Sequence, residues 1–139
     1  MSTLQISAEL LARIHAHGEQ AYPEEGAGFL LGLEGRVVDI LPLPNAREES
    51  ARHNRYLIAA GDYVKAEDAA DRRGLSLIGA FHSHPDHPNR PSEYDLEQAQ
   101  PFFSYLITSV QSGRAVESRS WRLAEDRSRF IEENLEITS

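Results

Sequence analysis

The chain has 139 residues and a net charge of −8, with 22 Asp and Glu against 14 Lys and Arg. That length fits one domain over residues 1–139 and is too short for a (β/α)8 barrel, which needs at least about 200 residues. The acidic balance gives no electrostatic footprint for nucleic acid, and the lack of cysteine excludes disulfides, thiolate nucleophiles and Cys-based zinc sites.

The first stretch, MSTLQISAELLARIHAHGEQ, has neither a basic n-region nor a long apolar run, so it does not read as a signal peptide. No segment approaches the length that spans a bilayer. The expected setting is the cytoplasm, with no membrane and no nucleic-acid partner. Leu4 to Ser7 predicts a short strand. Ser7 is then a helix N-cap, with Leu10, Leu11 and Ile14 on one face to about Gln20 and Pro23 as the stop. GAGFLLGLEGRVVDILPL reads as two strands joined by a tight turn at Glu34-Gly35. NAREESARHN reads as a polar loop, RYLIA as a strand, and AGDYVKAEDAADRRG as a helix ending at Gly74. LSLIGAFHSH is a mostly apolar strand. PDHPNRP is a loop stiffened by three prolines, and SEYDLEQAQ is a helix that starts at Ser92 and stops before Pro101. FFSYLITSV and AVESRSWRL read as strands on either side of a turn near Ser112-Gly113. The tail RSRFIEENLEITS fits strand or helix. This order predicts an α/β or α+β class built on a mixed sheet.

Chemistry concentrates in GAFHSHPDHPNRPSEYDLEQA. On a strand, His82 and His84 share a face and Ser83 points to the other. They fall at the C-terminal end of that strand, where loops converge and sites form. Alone, His-x-His also describes two ordinary surface histidines. Asp95 adds a carboxylate in the first turn of the next helix. Two imidazoles, one carboxylate and an open fourth position form the donor set of a catalytic zinc. Iron, cobalt and manganese accept the same N/O ligation. Ser92 and Asp95 also match a capping box, Ser-x-x-acid, so the helix start accounts for them equally well. Hydrolysis at such a centre needs a base near the attacking water. Glu24 and Glu25 each offer one at a strand start, and Gly26, Gly28 and Gly32 permit close backbone approach there. A solvated acidic pair is the plainer reading of Glu-Glu.

Together these residues resemble the JAMM (MPN-plus) metalloprotease family. Its pattern is a Glu near a GxLxG strand, then H-[ST]-H-P-x6-S-x2-D. Here Glu25 precedes GAGFLLG, and His82, Ser83, His84, Pro85, Ser92 and Asp95 fill the remaining positions. The resemblance covers residues 4–124. It implies a curved mixed β-sheet flanked by helices, similar to the cytidine-deaminase architecture. It implies one Zn2+ per chain, held by His82, His84 and Asp95. Glu25, three residues before Gly28, takes the general-base role in preference to Glu24, and Ser92 stabilises the oxyanion. The implied substrates are adducts of a ubiquitin-like or sulfur-carrier protein, cleaved after its C-terminal glycine.

Many relatives carry cysteine after the Glu, where this chain has Gly26 and Ala27. There is little room for the insertions that grip a second ubiquitin, which argues against linkage-specific polyubiquitin cleavage. The alternative reading is a non-catalytic MPN-type scaffold or binding module. Relatives of that kind have lost ligands, and none is missing here. A zinc nucleobase deaminase would need its Cys pair. His87 reads as a loop residue. With Asp86 it is the first candidate for a fourth protein ligand in an autoinhibited site. His15, His17 and His53 have no partner spacing, and Trp121 is expected in the core.

Overall fold

Apolar residues run almost unbroken through AGFLLGL, SLIGAFHSHP and SYLITSVQ, and strands of that composition need cover on both faces. A computed structural model, which describes residues 2–43 and 60–139, shows how they get it. The strands are β1 (Thr3–Ser7), β2 (Ala27–Leu33), β3 (Arg36–Leu43), β4 (Ser76–Pro85), β5 (Ser104–Gln111), β6 (Arg114–Leu123) and β7 (Phe130–Thr138). The helices are α1 (Ala8–Ala21), α2 (Ala60–Arg72) and α3 (Glu93–Gln98). The expected loop over 45–54 and strand over 55–59 lie outside the described residues.

The mixed, curved sheet of the sequence reading is present, and its curvature goes to closure. The strands run in the order β1-β3-β2-β4-β5-β6-β7. Parallel pairing of β1 with β7, from Thr3↔Asn134 to Ser7↔Thr138, completes the ring. This pairing, with antiparallel pairing to β6, makes the ambiguous tail a strand.

The two longer helices, α1 and α2, cover opposite faces. α1 touches β1, β3, β4, β5, β6 and β7, so it lies across one face of the ring. Its Leu11 and Ile14 pack with Leu4, Ile6, Leu30, Phe81 and Leu106. α2 lies against β2 and β4, where Ala66 and Ala70 meet Phe29, Leu31, Ala80 and Tyr105. Successive β2 residues therefore serve different layers, as the two-residue strand period requires. Each fully buried Leu, Ile or Phe contributes about 1.5–3 kcal/mol.

Local signals hold the connections. Ser7 Oγ accepts from the Leu10 N–H at 3.1 Å, an N-cap worth about 1 kcal/mol. Glu34 and Gly35 have φ of 51° and 77° between the paired Leu33 and Arg36. Positive φ at both central positions is the type I′ turn, whose twist suits a two-residue hairpin. Ser112 and Gly113 repeat it with φ of 51° and 83°. Among the described residues, no helix is long and apolar enough to cross a membrane.

β4 and β5 are parallel, from Gly79↔Ser104 to Pro85↔Val110, so the chain needs a crossover between them. Residues 86–92 and α3 supply it. The crossover leaves from the C-terminal end of β4, which carries His82 and His84. Beneath that end α1 comes close: a Cβ on Gly18 would lie 3.2 Å from both Ser83 Cβ and Val110 Cγ2.

Candidate active site

Strand alternation puts His82 and His84 on one face of β4, both buried, with their Nε2 atoms 3.1 Å apart. Ser83 faces the other way and is used there. Its Oγ accepts from the Gly26 N–H at 2.8 Å, and its own N–H donates to the Gly26 carbonyl at 2.9 Å. These bonds extend the β2–β4 pairing, which begins at Ala27↔His82, by one residue. Glu25 is thereby carried to the histidine face and is only 4% exposed. Glu25, His82 and His84 each offer an atom within 4.8 Å of the others and could hold a metal ion.

Asp95 arrives from the other side, on the first turn of α3. The capping box is complete. Ser92 Oγ accepts from the Asp95 N–H at 3.1 Å, and Asp95 Oδ2 accepts from the Ser92 N–H at 2.8 Å. The same Oδ2 lies 3.2 Å from His84 Nε2 and 3.3 Å from His82 Nε2. The helix cap therefore delivers Asp95 to the histidines rather than competing with them. All five sequence-singled residues, Glu25, His82, His84, Ser92 and Asp95, meet at this strand end.

The protonation states suit electron-pair donation. His84 Nδ1 lies 2.7 Å from the Pro88 carbonyl, which can only accept. Nδ1 therefore carries a proton, and in the neutral ring Nε2 is the nitrogen left to donate a lone pair. Burial holds His82 below its ordinary value, against the opposing pull of Asp95, so its ring is neutral near neutral pH. Burial opposes ionisation of Asp95 as well, but a protonated imidazole at His82 or His84 outweighs it by charge and hydrogen bonding and holds the carboxyl well below the usual carboxylate range. Electron-pair donors packed this closely are favourable only around a shared proton or cation. A tetrahedral ion with bonds of about 2.0–2.1 Å spaces its ligand atoms about 3.3 Å apart. The observed edges of 3.1, 3.2 and 3.3 Å fit that requirement.

A pocket of about 310 Å³ opens beside this cluster, lined by Glu25, His84, Pro85, His87, Arg90 and Ser92. His87 is thus a wall of the pocket. Asp86 is engaged elsewhere: its Oδ2 accepts from Tyr22 Oη at 2.6 Å and its Oδ1 from the Ser112 N–H at 2.8 Å.

Sequence reasoning missed what holds the 86–92 loop. Trp121 packs on the α2-side core as expected, but its Nε1 also donates to the Asn89 carbonyl at 3.1 Å. Asn89 Nδ2 donates in turn to the Glu117 carbonyl at 3.1 Å. The glycine that follows Glu25 also has a local reason. A Cβ on Gly26 would lie 3.1 Å from Ala21 Cβ and from His17 Cδ2, so α1 leaves little space for a side chain. His17 packs edge-on against Phe81, and His15 Nε2 bonds Ser118 Oγ at 2.8 Å. Both serve packing, and His53 lies outside the described residues.

A family model for prokaryotic homologues of the JAB domain matches residues 7–124. A Thermus thermophilus protein named "Probable TtuB-protein conjugate cleaving protease" is 34% identical over 112 residues, which cover 81% of this chain and 74% of the other. A Pyrococcus furiosus desampylase is 29% identical over 101 residues, covering 73% and 68% of the two chains. The solution structure of a Salinibacter ruber protein matches with a TM-score of 0.75 at 44% identity, covering 98% of this chain and 92% of that one. The crystal structure of a JAB1/MPN domain protein from Archaeoglobus fulgidus shares the fold, with a TM-score of 0.65 at 23% identity over 98% and 100% of the chains.

Proposed function

The chain belongs to the prokaryotic JAB-domain family, and from that premise we propose that it is a zinc-dependent isopeptidase. Its substrate is an adduct of a ubiquitin-like or sulfur-carrier protein, hydrolysed in the cytoplasm after the terminal glycine. The relatives named for TtuB-conjugate cleavage and desampylation support that substrate class. The observation that carries the reading is the tight triangle of His82, His84 and Asp95 beside a pocket walled by Glu25 and Ser92.

In this reading His82, His84 and Asp95 hold one zinc ion. Zinc there supplies a Lewis acid that acidifies a water and polarises the scissile carbonyl. Glu25 takes the proton from the attacking water and returns it to the leaving amine. The Ser83–Gly26 bonds keep its carboxylate in place for both transfers. Ser92 has two uses at once. Its Oγ accepts the Asp95 N–H through a lone pair, so its own O–H remains able to donate to the oxyanion. The Pro88 carbonyl fixes the His84 tautomer, which keeps Nε2 a lone-pair donor.

Zinc content and cleavage test this directly. The purified chain should take up one zinc at micromolar supply and release it to a chelator, and its cleavage of ubiquitin-like adducts should follow the zinc. His84→Ala and Asp95→Ala should lose both metal and activity. A wild-type chain that takes up no zinc under these conditions reduces the reading to a scaffold.

A further inference from the structure

Among the described residues, Arg90 is the one Lys or Arg that lines the pocket, and it makes no ion pair with any of them. An exposed arginine is ordinarily a solvated surface residue. This one sits on a fixed support. Asn89, its neighbour, is tied through its carbonyl to Trp121 and through its side chain to Glu117. Pro88 and Pro91 flank the pair, and Ser92 is two residues on. The backbone that carries Arg90 is therefore held at the mouth of the pocket, which Arg90 lines together with Ser92, the proposed oxyanion donor, in a chain whose net charge is −8.

Its natural partner is a carboxylate, which a guanidinium binds through paired, charge-assisted hydrogen bonds. The scissile amide itself is neutral. When the group beyond the glycine is one α-linked amino acid, its carboxylate is attached to the carbon that bears the scissile nitrogen. A lysine isopeptide to a folded protein brings no carboxylate so near the reacting bond. A pocket of about 310 Å³ has room for the glycine and one such residue. We propose that Arg90 is a specificity-determining residue that reads the α-carboxylate of an amino acid attached to the terminal glycine. Adducts of a single amino acid are then the preferred substrates. This rests on the isopeptidase reading above. The reaction itself is unchanged: water adds to the glycine carbonyl carbon, the C–N bond breaks, and the amine leaves with the proton from Glu25.

The test uses TtuB, the protein named for the Thermus relative, extended after its terminal glycine by one alanine, as the free acid and as the alaninamide. Zinc-loaded wild type, Arg90→Gln and Arg90→Lys are compared by kcat/KM. Wild type should prefer the acid by about tenfold or more, chiefly through KM. Arg90→Gln should bring the acid-to-amide ratio near one. Arg90→Lys should keep part of the preference, because the charge remains and the planar fork is lost. Equal cleavage of acid and amide by wild type, or a preference that survives in Arg90→Gln, overturns the assignment and leaves the isopeptidase reading intact. Cleavage of neither substrate overturns that reading for this substrate class and the assignment with it.

Discussion

Ser83 Oγ and the Gly26 amide meet at 2.8 Å, so the residue between the two histidines fastens the segment that carries Glu25. Ser83→Ala leaves a buried N–H without its acceptor, at a cost of about 1–3 kcal/mol. Urea unfolding should show that loss. The same substitution loosens Glu25 while leaving His82, His84 and Asp95 intact. The expected result is a lower kcat with zinc stoichiometry unchanged. Zinc lost from this variant, with undiminished kcat per bound zinc, would mean that Ser83 supports the metal ligands and not the base.

Glu25 is 4% exposed and offers an atom close to both imidazoles, whereas Glu24 is half-buried at the preceding turn. A base and a ligand respond differently to amidation. Glu25→Gln should retain zinc and lose cleavage by about 10²–10⁴-fold, the usual contribution of a general base. Glu24→Gln should cleave like wild type. If Glu25→Gln instead releases the metal, the carboxylate is a ligand, and if Glu24→Gln is the inactive variant, the base assignment moves to Glu24. Metal analysis beside single-turnover kinetics separates these results.

The histidine pair and the Ser92–Asp95 pair were legible because each depends on a local period. Strand alternation puts His82 and His84 on one face, and the first helical turn sets Ser92 against Asp95. Nothing local joins Glu25 to them. Spacing alone left Glu24 and Glu25 equivalent, and the choice rested on the family pattern. The physical link is a bond between residues 57 apart, from Ser83 to Gly26. The loop supports were hidden for the same reason: Asn89 finds its partners 28 and 32 residues away, and Asp86 finds Tyr22 at 64. The tail shows how far this goes. RSRFIEENLEITS has no decisive period, and it becomes β7 because β1 and β6 pair with it. Closure of the sheet joins the two ends of the chain, which no window of sequence contains.

Acid should weaken one connection that holds the helices to the sheet. Asp39 on β3 lies 3.4 Å from Arg13 Nη1 of α1 and 2.6 Å from Arg73 Nη1, just beyond α2. Burial pushes its carboxyl up, but hydrogen bonds from Arg73 and the Ile40 N–H, with the two guanidinium charges, bring it below its ordinary 3.8. A carboxyl depressed in the folded state stabilises the fold above its unfolded pKa and loses that contribution as pH falls through the folded value. The groups are partly exposed, so the effect is at most about 1 kcal/mol. Asp39→Asn should lower the urea midpoint at pH 7, and its gap to wild type should close as pH falls through the depressed carboxyl value, below the ordinary 3.8. A gap of constant size across that range would assign the loss to packing.

Ser92 carries two roles that substitution can separate. Its Oγ caps α3, and its O–H is the proposed donor to the oxyanion. Ser92→Ala removes both, costing about 1 kcal/mol of stability through the cap. Ser92→Gly also removes the hydroxyl, but glycine at an N-cap costs only a few tenths of a kcal/mol. If the hydroxyl stabilises the transition state, both variants should lose kcat alike, by about 10²–10³-fold. If Ser92 acts only by holding Asp95 at the histidines, activity should track stability and zinc affinity, and Ser92→Gly should be the more active of the two by about threefold, the factor that the difference in cap cost gives. Measuring kcat, zinc affinity and urea midpoint on the same two variants decides between a cap that aims a ligand and a cap that also performs chemistry.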